Sequence, residues 1–251
     1  MSFPERVLLL GLARGGTTYL RQLLRSCMQL NDGNTLIEPY GDIDRRCWGT
    51  REISRKQAKE EYIQLSARIQ SIPNNEKFLI KDHIGHYADW SKFFNQPFPF
   101  RTIYKNFYVI KLIRYDLFGL STSLSLSQTT KKYTYFDADA QPRGVVIPID
   151  IFELAVLTQW KYLLMLHDWP DCDIVINYDD LTGDHQLDLK QLFNVTGHID
   201  IDPRQINIQR SIPYTESISN FDEIQKKFLE IVTNLKSDIL NINENRKVTK
   251  K

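Results

Sequence analysis

Apolar and polar positions alternate between two kinds of segment along this chain. The first is a short continuous apolar run bounded by polar or turn residues, the pattern of a strand buried on both faces. Val7 to Leu10 is such a run, and Thr35-Leu36-Ile37 is a shorter one. Lys77 to Ile80 leads to a polar tip, Lys81-Asp82-His83, and two further runs follow at Phe107 to Ile113 and Asp173 to Tyr178. The second kind repeats apolar residues at helical spacing. Tyr19, Leu20, Leu23 and Leu24 follow Thr17-Thr18; Tyr62, Leu65, Ile69 and Ile72 lie within 54–72; Phe152 to Leu164 fill one face within 151–166. Shorter signals predict a helix over 187–194 and a last helix opening near Ser219 to Glu223 with capping residues. Trp90, Phe93 and Phe94 read as core packing. Strand and helix alternate, which predicts one three-layer α/β domain over 1–251, with a central parallel sheet of about five strands flanked by helices.

The chemistry concentrates where the first strand meets the first helix. Gly11-Leu12-Ala13-Arg14-Gly15-Gly16 has the G-x-x-x-x-G frame of a Walker A loop. Glycines let the backbone approach an anion, and the first N–H groups of the helix point at it. The frame calls for Lys and then Ser or Thr, but Thr17 and Thr18 follow instead. The lysine that reaches the β/γ-phosphates of a nucleoside triphosphate is missing, which disfavours ordinary ATP or GTP chemistry. A cation sits inside the loop at Arg14. The turn therefore suits a phosphate-like group without a triphosphate tail.

Two other strand ends carry candidate groups. Glu38-Pro39 closes the second run, where ligands meet α/β sheets. Arg114 closes the fourth, and the helix after it is rich in Ser and Thr. Arg offers a planar fork to phosphate, and a hydroxyl on the next helix adds a donor.

Composition narrows the setting. The chain has 251 residues, 42% hydrophobic and 12% aromatic, enough for a large core. A net charge of +1 offers no overall field for nucleic acid or an acidic membrane. Three cysteines at scattered positions form neither a disulfide framework nor a zinc pattern, and a reducing cytoplasmic setting is the simplest expectation. No stretch is long enough to span a bilayer. His83 and His86 alone are weak evidence for a metal, and none is expected.

The stretch G-L-A-R-G-G-T-T-Y-L resembles the 5′-phosphosulfate loop of the sulfotransferases that use 3′-phosphoadenosine 5′-phosphosulfate (PAPS). That resemblance implies a P-loop-type domain. Arg14, Gly15, Gly16, Thr17 and Thr18 would then hold the 5′-phosphosulfate. Arg114 and Ser123, or its neighbour Thr122, resemble the family's 3′-phosphate site. Lys81 and His83 resemble the Lys-Thr-His strand end in which the lysine contacts the transferring group and the histidine is the base; here Asp82 replaces Thr. Glu38-Pro39 resembles a Glu that serves as base in other sulfotransferase groups. Tyr178, in Tyr-Asp-Asp-Leu, resembles the start of the family's Tyr-Glu-Asp-Leu, where a tyrosine can lie near the adenine; core packing is the other reading of it. Ser211 and Tyr214 are candidates to close the nucleotide site.

The expected activity is transfer of a sulfuryl group from PAPS to a hydroxyl or amine acceptor, releasing adenosine 3′,5′-bisphosphate and needing no metal. The alternatives are a P-loop small-molecule kinase and a non-catalytic nucleotide-binding protein. Gln128 to Pro148 lacks a sustained apolar period and is expected to be an acceptor-side loop. The acceptor is unnamed by the sequence; nucleic acid and membrane are not expected partners.

Overall fold

Five of the apolar runs become strands, and backbone hydrogen bonds join them into one sheet. The computed structural model describes residues 4–131, 142–169, 172–178 and 213–248. The strands are β1 (Arg6–Gly11), β2 (Thr35–Ile37), β3 (Phe78–His83), β4 (Tyr108–Ile113) and β5 (Ile174–Asn177). All pairings are parallel, and the order across the sheet is β2-β3-β1-β4-β5. This is the expected α/β arrangement with helices flanking a parallel sheet.

β1 lies at the centre, and all six of its residues are buried. That explains why it reads as an unbroken apolar run rather than an alternating one. Gly11 faces His83 across the β1–β3 register, and Ile37 faces Lys81 across β2–β3. Parallel strands end in the same sense, so the residues after their C-terminal ends share one edge of the sheet. The glycine turn, Glu38, His83 and Arg114 meet there by topology.

The first helix, α1 (Thr17–Met28), buries Tyr19, Leu20, Leu23, Leu24 and Met28. These pack in one cluster with Val7, Leu9, Leu79, Ile110, Leu112 and Ile176. Each such side chain contributes roughly 1.5–3 kcal/mol when fully buried. Pro39 does more than stop a strand: it opens α2 (Pro39–Asp44), at a position where a missing N–H costs nothing. The chain then passes through a π-helical turn, Arg45–Gly49. Next comes α3 (Arg55–Gln70), started by a reciprocal capping box between Ser54 and Gln57. Its buried face is Ala58, Tyr62, Ser66 and Ile69; Leu65 and Ile72 are half-buried, so the apolar stripe is rotated slightly from the expected one.

Two more helices follow, α4 (Ile84–Phe94) and α5 (Phe100–Ile103). Their aromatic residues form a core of their own. Trp90 stacks on Phe94 at 3.9 Å between centroids, Tyr87 on Phe98 at 4.3 Å, and Tyr40 on Tyr62 at 5.3 Å. The buried Lys111 of β4 donates to the carbonyls of His167 and Trp169, at 3.2 and 3.0 Å.

The chain folds as two compact units. The sheet belongs to the first, Met1–Tyr115 with Tyr162–Asn207. The second, Asp116–Lys161 with Ile208–Lys251, contains α6 (Leu117–Thr130), the start of α7 (Ile149–His167), α8 (Tyr214–Ser217) and α9 (Phe221–Val248). Its core gathers Leu117, Ile147, Phe152, Val156, Ile218, Ile224 and Ile231.

The expected loop over 128–148 needs correction at both ends. Gln128 to Thr130 continue α6. At the other end, Val145 N–H donates to Ser217 O and Ser219 N–H to Val145 O, both at 2.9 Å. Asn220 brackets Ile147, accepting from its N–H at 3.0 Å and donating to its carbonyl at 2.9 Å, and Ile147 is fully buried. Three apolar residues, Val145 to Ile147, are too few to show a period, yet they tie this unit together. Residues 132–141, the helix expected over 187–194 and Ser211 lie outside the described residues. Among the described residues, no helix is long and apolar enough to cross a membrane.

Candidate functional site

The glycine turn closes through its own backbone. Gly15 N–H donates to Leu12 O at 3.0 Å, and Leu20 N–H donates to Gly16 O at 3.2 Å as α1 begins. Gly16 is left-handed, with φ of 84°. A Cβ there would stand 2.2 and 2.3 Å from two ring carbons of Tyr178, so only glycine fits. No side chain caps α1, whose first turn stands at the positive end of the helix dipole. Arg14 is also left-handed, with φ of 65°, an unusual state for a residue with a side chain.

Two residues brace this turn from neighbouring strands. Arg114 Nη1 donates to Arg14 O at 3.4 Å, and the Arg114 guanidinium lies 4.9 Å over the Tyr178 ring. Tyr178 in turn packs on Gly16. Thr17 is buried, and Thr18 is exposed. Arg14, Gly15, Gly16, Thr17, Thr18, Arg114 and Tyr178 therefore form one neighbourhood.

Beside it stands a cluster built from side chains. Glu38 follows β2 in a left-handed conformation, φ of 48°, with its N–H donating to Lys81 O at 2.7 Å. Its Oε1 accepts from the Lys81 ammonium and lies 3.4 Å from His83 Nε2. Lys81 is 4% exposed, which makes this ion pair a nearly dry one on the lysine side. His83 Nε2 also lies 3.5 Å from Thr17 Oγ1, which joins the cluster to the glycine turn. Burial, then the charges of Lys81 and His86, hold the His83 imidazole well below its ordinary pKa, so it is neutral at pH 7. A neutral imidazole keeps a lone pair for a proton.

Asp82 is the hub beneath. It is fully buried, and its Oδ1 accepts from the His83 backbone N–H at 2.9 Å and contacts His86 Nδ1 at 2.5 Å. Burial opposes a charged His86, but the Asp82 charge and hydrogen bond prevail and raise its pKa. The ring of His86 is seated over Gly41, where a Cβ would come within 2.4 Å of it. Asp82 and Gly41 have no functional reading in the sequence, and His86 is weighed there only with His83, as weak evidence for a metal. Asp82 seemed only to break a pattern, although Asp and His four apart at a strand-to-helix junction are a signal in hindsight.

The remaining expected site residues belong to the second unit. On α6, Thr122 is fully buried and Ser123 half-buried. Tyr214 opens α8 and donates its hydroxyl to Gly119 O at 3.2 Å. No protein-family model matches the chain, and no curated protein matches it.

Proposed function

We propose that this chain transfers a sulfuryl group from PAPS to a hydroxyl or amine of an acceptor. One observation carries the reading. A Walker-like turn without its lysine opens onto an uncapped helix, and one strand away, level with Gly11, lies the Glu38–Lys81–His83 cluster. An anion cradle next to a proton acceptor is what transfer of a charged group to a hydroxyl requires.

In this reading the 5′-phosphosulfate sits on the turn amides and α1. The acceptor oxygen or nitrogen attacks sulfur in line. A new bond to sulfur forms as the bond from sulfur to the 5′-phosphate oxygen breaks, and adenosine 3′,5′-bisphosphate leaves. Arg14 and the turn N–H groups stabilise charge on the leaving phosphate, and Lys81 assists at the sulfuryl oxygens. Glu38 or His83 takes the acceptor proton. Arg114 takes the 3′-phosphate.

Calorimetry with adenosine 3′,5′-bisphosphate against ATP, with and without magnesium, tests the nucleotide half. Tight, magnesium-independent binding of the bisphosphate is the expected result. Preference for magnesium-ATP would replace this reading with a kinase. Labelled PAPS with an acceptor panel tests the transfer half; binding without transfer to any acceptor would leave a nucleotide-binding protein.

A further inference from the structure

We propose that Glu38, His83 and His86 form a binding site for one divalent transition-metal ion, zinc foremost. Each of the three offers one ligand atom, and those atoms all lie within 4.8 Å of one another. The donors come from two places in the fold: Glu38 follows β2, while His83 ends β3 and His86 lies one helical turn on in α4.

The spacing suits the ion. Two atoms bound to one tetrahedral zinc at about 2.0–2.1 Å stand roughly 3.4 Å apart. His83 Nε2 and Glu38 Oε1 are 3.4 Å apart. Two imidazoles and one carboxylate make a three-ligand set that leaves a fourth position open, and imidazole selects zinc-like ions over magnesium or calcium.

An independent observation lies behind the ligands. His86 Nδ1 is held by Asp82 Oδ1 at 2.5 Å, and Asp82 is fully buried. A carboxylate on one ring nitrogen fixes the ring and leaves Nε2 for a metal. The same Asp82 oxygen accepts from the backbone of His83, so one buried carboxylate orients both histidine-bearing turns. Its other oxygen, Oδ2, is buried with no hydrogen-bond partner among the described residues. A buried anion of this kind is offset by positive charge placed nearby, as a bound divalent ion would supply.

Lys81 is the competitor. Its ammonium holds the Glu38 oxygen that the ion needs. Ion and ammonium therefore compete for that oxygen, and removing the buried positive charge beside it favours the ion. Occupancy would also consume both groups able to take the acceptor proton, so zinc should oppose transfer; this last consequence rests on the sulfuryl-transfer reading.

The test uses the full chain, stripped with chelator, titrated with zinc by calorimetry and with cobalt by visible absorption. One equivalent should bind, with the intense d–d bands of a four-coordinate ion. Glu38→Gln and His86→Ala should each weaken zinc at least about tenfold, and Asp82→Asn by about 10- to 100-fold. Lys81→Met should bind zinc more tightly than the wild type, a gain that misfolding cannot mimic. No zinc binding by the wild type, or binding unchanged in both Glu38→Gln and His86→Ala, overturns the proposal. The two readings fail separately. Zinc bound at these residues without any transfer from PAPS leaves the metal site standing and removes the transfer reading. Transfer without zinc binding does the reverse.

Discussion

The glycine turn after β1 and the polar tips of β2 and β3 are neighbours made in opposite ways. The turn is made of backbone. Its donors are amides, its shape comes from left-handed Arg14 and Gly16, and its helix carries no side-chain cap. The tips are made of side chains. Glu38, Lys81, His83, Asp82 and His86 engage one another through ion pairs and hydrogen bonds. A backbone cradle recognises a charge and a size and tolerates changes of side chain around it. A side-chain cluster sets a protonation state and depends on each member. Substitutions should therefore act on the turn through space and conformation, and on the tips through chemistry.

The largest effect should come from the tips. Glu38→Gln keeps the shape and removes a proton acceptor, so turnover should fall by about 10²- to 10⁴-fold with nucleotide affinity unchanged. His83→Ala should keep part of the activity; the opposite ranking in a steady-state assay would move the base to His83. Arg14→Ala comes next and sharpens the contrast, because it is the side chain the turn adds to its backbone. Its kcat should drop by about 10²- to 10³-fold, with a much smaller loss of PAPS binding. Near-normal turnover would leave the turn a purely backbone device.

Gly16→Ala is smaller and tests the opposite half. The new methyl meets the Tyr178 ring at a left-handed position. A loss of about 1–3 kcal/mol in stability is expected, with weaker nucleotide binding. Tyr178→Ala in the same chain should recover the part due to the clash. A double variant no better than the single, by thermal melts, would assign the whole effect to conformation. The smallest effect is one of selectivity. Arg114→Ala should narrow the preference for adenosine 3′,5′-bisphosphate over 5′-AMP by about tenfold, one charged contact being worth roughly 1.5–3 kcal/mol. Equal weakening of both ligands would make Arg114 only a brace for the turn.

The inner sheet was legible because β1, β3 and β4 are buried on both faces, and unbroken apolar runs at Val7, Leu79 and Ile110 have few other readings; the edge strands β2 and β5 keep exposed positions such as Ile37 and Val175. The turn was legible because glycine frames are local. The tips were legible only as separate residues. Glu38 and Lys81 meet because Ile37 and Lys81 are register partners, and register between strands is written nowhere in a local window. Asp82 was misread for a related reason. Its role is to hold His86 and the backbone of His83, and neither bond follows from residue type alone. The tie at Val145 to Ile147 was missed because its partners, Ser217 and Ser219, are distant in sequence.

The partnership of Gly11 with His83 also fixes a length. Neighbouring strands stand about 4.8 Å apart, a dimension owned by backbone hydrogen bonds. The gap between the glycine turn and His83 is thus a property of the ladder and not of any loop. The exposed turn over 73–75 could double in length for roughly 0.6 kcal/mol of closure entropy without moving either side. Surface insertions between β1 and β3 should therefore change what surrounds the strand ends, while the spacing between the glycine turn and His83 stays constant.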